Sequence, residues 1–235
     1  MDAEVLADAD SFARRVADWM LGLALERNDD FAVLLSGGST PRPVYGLLAS
    51  AEYRTRFPWP LAHWFWSDER FVPHDDVRSN FRMAWDAMLS HVPVPSGNIH
   101  PVRTENITPE EAASAYEREL KSLYGADTWD VTRPLFEIAL LGLGEDGHLA
   151  SLFPGHKVLK ERRRWVAEVT GAAPEPRVTL TYPALESSRH AAFLVAGSAK
   201  AEILRRLRGG DPALPASDFH PIGELRIFAD SAAAG

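Results

Sequence analysis

Short apolar runs alternate with amphipathic helical stretches along almost the whole chain, and this alternation limits the fold more than any other feature. Residues 10–27 carry Phe12, Val16, Trp19, Met20 and Leu23 at three- and four-residue spacing, the apolar stripe of a surface helix. "FAVLL" at 31–35 is a continuous apolar run, as expected of a strand covered on both faces. A Gly-Gly turn leads into a helical pattern from Pro43 to Ala51, and "LAHWFW" at 61–66 reads as the next strand. A polar loop and a helix from Asn80 to His91 follow. "TPEEAASAYERELKSLYG" is the clearest helix: Thr108 is the N-cap, Pro109 the first turn, Glu111 the second half of a capping box and Gly125 the stop. Strands are predicted near 135–141, 165–169, 178–182 and 191–196, then a helix near 198–208 stopped by Gly-Gly, and a last strand, "ELRIF". Strand and helix alternating in this way predict an α/β fold with a mostly parallel sheet and helices on both faces. No internal repeat, low-complexity tract or linker interrupts the pattern, so one domain over 1–235 is expected.

Composition narrows the partners. The net charge of -8 is a poor background for nucleic acid, whose phosphates require clustered Lys and Arg. An anionic ligand therefore needs a local basic site. There are no cysteines, which removes disulfides, thiolate nucleophiles and Cys-type zinc sites, and suits a reducing compartment. The acidic start "MDAEVLADAD" does not read as a signal peptide, and no apolar run approaches the ~20 residues that span a bilayer. A cytoplasmic location, no membrane partner and a monomer are the expectations.

In a parallel sheet, ligands bind at the carboxyl ends of the strands, and polar loops stand at those ends here. The first is "SGGSTPRP", 36–43. Gly37 and Gly38 allow main-chain N–H groups to approach a ligand, and Ser39 and Thr40 add hydroxyls beside a helix N-terminus that favours an anion. A plain strand-to-helix turn with a Ser or Thr cap accounts for the same residues. The loop is not a P-loop, because the Gly-Lys-Ser/Thr ending is missing. The second is "SDERFVPHDDVRSN", 67–80, where Asp68, Glu69 and Arg70 stand at a strand end. Arg70 could hold an oxyanion or a phosphate there; a surface ion pair is the plainer alternative. "HDD" at 74–76 lacks companions at ligand spacing and reads as solvated loop, so no metal is expected.

The third loop, "EDGHLASLFPG", follows the apolar run "PLFEIALLGLG". Gly142 to Gly147 match G-x-G-x-x-G, and Glu168 could be mistaken for the ribose acid, but Pro154-Gly155 stops the segment after less than two turns. A dinucleotide site needs a longer helix, so no nicotinamide cofactor is expected. Asp146, Gly147 and His148 remain, in a tight glycine-bounded turn. A neutral imidazole can take a proton from water near neutrality, and Asp146 could orient it. The alternative is a lone histidine capping a short helix, "LASLF". Arg177, which opens "RVTLTYP", and Lys200, in "AGSAK" at a helix start, could reach the same crevice. The runs "ERRR" (161–164) and "LRRLR" (204–208) read as solvated faces, and most of the seven tryptophans as core and wall.

"SGGSTP", "SDERFVP" followed by "SN", "GLGEDGHLASLFPG", "RVTLTYP" and "AGSAK" occur in an order and at spacings that resemble the 6-phosphogluconolactonase family, from about residue 30 onward. The wider superfamily includes glucosamine-6-phosphate deaminases. These follow Gly-His with Asn-Glu-Pro where this chain has Leu152-Phe153-Pro154, so Phe153 replaces the deaminase glutamate. The resemblance implies a Rossmann-like three-layer α/β/α sandwich and hydrolysis of a phosphorylated sugar lactone, 6-phospho-D-glucono-1,5-lactone, without metal or cofactor. It implies that His148 is the general base, with Asp146 beside it. Arg70 would stabilise the oxyanion or clamp phosphate. Gly37, Gly38, Ser39, Thr40, Arg177 and Lys200 would form the phosphate site, with Asn80 a weaker substrate contact. Asp68 would also contact substrate, at the position of the deaminase proton-shuttling aspartate.

Overall fold

In the computed structural model, which describes residues 2–235, the acidic start contains a strand that no hydrophobic run announces, β1 (Glu4–Leu6). It is followed by α1 (Ala9–Leu25), capped by the Asp8 carboxylate, which accepts from the Ser11 N–H at 2.7 Å. β2 (Phe31–Leu35) is buried at every position, as its unbroken apolar run predicts. α2 (Arg42–Ala49) and α3 (Ala51–Arg54) lead to β3 (Ala62–Trp66) and β4 (Asp68–Arg70). Next come α4 (Asn80–Ala87), α5 (Pro109–Tyr124) and β5 (Phe136–Gly142). The capping box on α5 forms in both directions between Thr108 and Glu111, and Gly125 ends the helix with φ 73°. The second half holds β6 (Val166–Val169), β7 (Arg177–Leu180), α6 (Tyr182–Glu186) and β8 (Ser188–Val195), then α7 (Ala201–Arg208), β9 (Glu224–Asp230) and α8 (Ser231–Ala234).

Six strands form one sheet in the order β1-β9-β8-β5-β2-β3, and every pairing in it is parallel. Alternate residues of its strands feed two cores. Val33, Leu35, Trp64 and Trp66 pack with α1, α2 and α4, while Leu34, Phe65, Leu141 and Phe193 pack with α5 and α7. This is the mostly parallel, helix-covered sheet that the strand-helix alternation predicts. From β2 the chain steps outward to β3, then returns to β5 on the other side of β2. The strand order reverses there, so a crevice opens between the carboxyl ends of β2 and β5.

Four segments depart from expectation. The predicted strands near 165–169 and 178–182 do not join the main sheet; as β6 and β7 they form a separate antiparallel sheet in the order β4-β7-β6. β4, read as part of a polar loop, is the edge of that small sheet. Its three residues are all charged, and pairing with β7 rather than apolar patterning makes it a strand. "LASLF" is not a helix: Leu149 and Leu152 close an isolated bridge around a tight turn with Ala150 at φ 49°. His148 therefore caps nothing, which removes the plainer reading of that residue.

Candidate active site

The β2 loop is secured before it meets any ligand. The Tyr45 hydroxyl on α2 brackets Ser36, accepting from its N–H at 3.1 Å and donating to its C=O at 2.8 Å. The Ser36 hydroxyl accepts from the Gly142 N–H at 3.0 Å, joining the end of β2 to the end of β5. Gly37 then passes so close to Asn80 that an added Cβ would lie 1.8 Å from Asn80 Oδ1, so only glycine fits. Pro41 precedes α2 with no side-chain cap, which leaves the Ser39 and Thr40 hydroxyls uncommitted to capping and facing the crevice.

The antiparallel sheet presents charge to the same crevice. Register places Asp68 opposite Thr179 and Arg70 opposite Arg177, so these four share one face of the ribbon. Asp68 is buried; its carboxylate accepts from the Ser151 hydroxyl at 2.6 Å and from Asn80 Nδ2 at 3.3 Å. Glu69 points the other way and is only 1% exposed. It accepts from the N–H groups of Arg70, Asn80 and Phe81 and from the Ser79 hydroxyl, clamping β4 to the start of α4. Burial pushes its carboxyl above the usual range, against the three N–H bonds that pull it down. Glu69 is thus structural, and of the two acids only Asp68 reaches the site.

Arg70 donates through Nη1 to the C=O of Arg78 at 2.7 Å. Among the described residues, Nε of Arg70 and Nε of Arg177 are buried with no hydrogen-bond partner. Burial above all lowers the Arg177 guanidinium below its usual range, with Asp68 opposing the shift and Arg70 adding to it. Two half-buried guanidinium groups held side by side, each with a free Nε, are poised for an anion.

After β5 the chain makes the turn that carries His148. His148 Nδ1 lies 2.6 Å from Asp146 Oδ1, and the His148 N–H donates to the same oxygen at 3.1 Å. Burial pushes the Asp146 carboxyl up, but the His148 N–H, imidazole charge and ring hydrogen bond prevail and hold it below its usual range. A carboxylate on Nδ1 keeps the proton there and leaves Nε2 as the basic nitrogen. The other ring face is backed by Phe153, with ring centroids 4.6 Å apart. Gly144 closes the remaining side: a Cβ there would sit 2.1 Å from His148 Nδ1.

These pieces surround one cavity of about 380 Å³ at the β2/β5 reversal. Gly37, Gly38, Ser39, Thr40, Asp68, Arg70, Asn80, His148, Arg177 and Lys200 all line it; Asp146 stands behind His148. Every residue anticipated to contact substrate is brought together. Sequence reasoning missed Ser36, Glu145 and Ala150 on the wall, and Ser151 and Thr179 behind Asp68. All but Thr179 lie inside the two loops already singled out, and Thr179 is in "RVTLTYP"; their roles depend on partners distant in sequence. "HDD" is less solvated than read: His74 is half-buried, bonded to the Val102 C=O at 2.8 Å and packed on Phe81. Among the described residues, no group of three or more His, Cys, Asp or Glu converges as metal ligands. A cavity of similar volume opens at the amino-terminal end of the sheet, but its charged groups answer one another: Arg27 pairs with Asp29 and Glu137, and Arg189 with Glu137.

The family described as glucosamine-6-phosphate isomerases/6-phosphogluconolactonase matches residues 6–227. The chain belongs to that family. It is 36% identical over 236 residues to a 6-phosphogluconolactonase of Nostoc, covering 98% of this chain and 95% of that protein. It is 39% identical over 210 residues to the chloroplastic 6-phosphogluconolactonase 3 of Arabidopsis thaliana, covering 86% of this chain but only 64% of the longer plant protein. The crystal structure of 6-phosphogluconolactonase from Thermotoga maritima superposes with a TM-score of 0.83 at 34% identity, covering 97% of this chain and 99% of the other. The superposition agrees with the mostly parallel, helix-flanked sheet described above. No helix among the described residues is long and apolar enough to cross a membrane.

Proposed function

We propose that this chain hydrolyses 6-phospho-D-glucono-1,5-lactone to 6-phosphogluconate in the cytoplasm, acting as a monomer through a single domain over residues 1–235. The observation that carries the reading is the sharing of one cavity by a carboxylate-held imidazole, that of His148, and three cations, Arg70, Arg177 and Lys200. Three cations against Asp68 and Glu145 leave the wall net positive within a chain of net charge -8, which focuses a phosphorylated substrate there. Gly37, Gly38, Ser39, Thr40, Arg177 and Lys200 receive the phosphate, with Arg70 completing the clamp or facing the oxyanion. Asp68 and Asn80 meet the sugar.

Phosphate binding then fixes the lactone carbonyl by His148, so remote binding energy is used for orientation. Nε2 of His148 takes a proton from water as its oxygen attacks C1, giving a tetrahedral oxyanion beside the cationic wall. Collapse breaks the C1–O5 bond, the imidazolium returns its proton to O5, and the new carboxylic acid ionises in water. Asp146 stabilises the imidazolium in between. No covalent nucleophile is needed, because a lactone already reacts with water.

The deaminase alternative loses its acid at position 153. The side chain there is a phenyl ring packed on His148. The deciding assay is lactone disappearance against the spontaneous rate, with and without EDTA, beside ammonia release from glucosamine 6-phosphate. Acceleration that EDTA leaves unchanged, with no ammonia, is expected; ammonia release, or a lactone rate no faster than the background, refutes the proposal.

A further inference from the structure

The two cavity arginines whose Nε meets no acceptor are each tied to one side of an ion-pair bridge outside it. Arg78 meets Asp76 in a fork, Nε to Oδ1 at 2.9 Å and Nη2 to Oδ2 at 2.6 Å, and its Nη1 reaches across to Glu175 on the loop before β7. The C=O of this same Arg78 accepts from Nη1 of Arg70 at 2.7 Å. The second carboxylate oxygen of Glu175 lies 3.8 Å from Nη2 of Arg177. The Phe71 N–H donating to the Pro176 C=O at 2.8 Å keeps the two loops in step. The bridge therefore joins the 73–79 loop to the 170–176 loop and ends, on each side, at a guanidinium that lines the cavity.

We propose that Asp76, Arg78 and Glu175 form a clasp that positions Arg70 and Arg177 for the substrate phosphate. The proposal deepens the function above and rests on its reading of the cationic wall. Holding two long side chains before the ligand arrives lowers the ordering cost of binding, and a multi-contact network does this better than an isolated surface pair. The hydrogen bonds from Arg78 hold Asp76 well down, to about 2, so it remains charged at any working pH.

Glu175 separates this proposal from simple electrostatics. Removing a carboxylate next to Arg177 makes the wall more positive, so long-range charge alone predicts tighter binding of an anion. A clasp predicts the opposite. In the full-length protein, Glu175→Ala should raise KM for the lactone, and the inhibition constant of inorganic phosphate in parallel, by roughly 3- to 30-fold, with kcat within about twofold. Arg78→Ala should do the same, and the double variant should be no worse than either single change, because each breaks the same bridge. Glu175→Gln, which keeps the acceptor for Arg78, should return KM toward the parent value. An unchanged or lower KM in Glu175→Ala, or additive losses in the double variant, overturns the clasp. Arg177→Ala is the reference: if it too leaves KM unchanged, the phosphate reading of the wall fails, and with it the clasp.

Discussion

Arg70 and Arg177 stand directly opposite each other in the antiparallel pair of β4 and β7, each with a buried Nε that no protein acceptor meets. Like charges opposite one another weaken a sheet, so this register is costly until an anion lies between them. Inorganic phosphate should therefore stabilise the protein. At about 100 times its dissociation constant, phosphate contributes ~2.7 kcal/mol, a rise of roughly 5–10 °C in Tm for a chain of this size. Arg177→Ala should abolish most of that rise. Thermal melts with and without phosphate check this, and an equal shift in the variant would place the anion elsewhere.

The Asp146–His148 contact holds the imidazole proposed as general base. The base must be neutral to accept a proton, so kcat should fall on acidification and level off once the imidazole has lost its proton. Asp146, held below its usual range, stays anionic throughout that transition and adds no step of its own. His148→Asn should cost at least ~10²-fold in kcat with KM little changed. Steady-state rates across the pH series check both statements, and a flat profile with chemistry rate-limiting would remove His148 from the reaction.

Gly144 owes its identity to the imidazole. A methyl group there would lie 2.1 Å from His148 Nδ1 and 2.7 Å from Asp146 Oδ1, so Gly144→Ala must push the pair apart. A displacement of about 1 Å at a catalytic group costs on the order of 10²-fold. The variant should lose kcat by about that factor while melting within a few degrees of the parent. Kinetics beside a thermal melt distinguish this from general unfolding.

Glu69 is adjacent to Asp68 and Arg70 in sequence yet serves stability. Glu69→Ala strands three backbone N–H groups and the Ser79 hydroxyl, at a cost of about 3 kcal/mol or roughly 6–12 °C in Tm. Chemical denaturation measures it. A neutral effect would mean that water replaces all four contacts.

Much of this was legible along the chain because it is local. The α5 cap depends on Thr108, Glu111 and Gly125 alone, and β2, β5 and β8 show themselves as apolar runs that only a doubly covered strand explains. Loop positions followed from the ends of those runs, so the side chains around the cavity could be named in advance. β1 and β4 could not, since three residues are too few to carry a periodicity, and all three of β4 are charged. The same limit hid the functions of Glu69 and Ser151, most of whose partners lie 10 to 83 residues away.

By itself, then, the order of residues determined which segments are helical, which are strands buried on both faces, and which loops hold polar chemistry; backbone periodicity and turn preferences act between near neighbours. Only the tertiary structure decided that β4, β6 and β7 leave the main sheet, that Arg70 faces Arg177, and that Phe153 backs His148. Those outcomes depend on pairing and desolvation between distant segments, where the free energy belongs to the contact rather than to either strand alone.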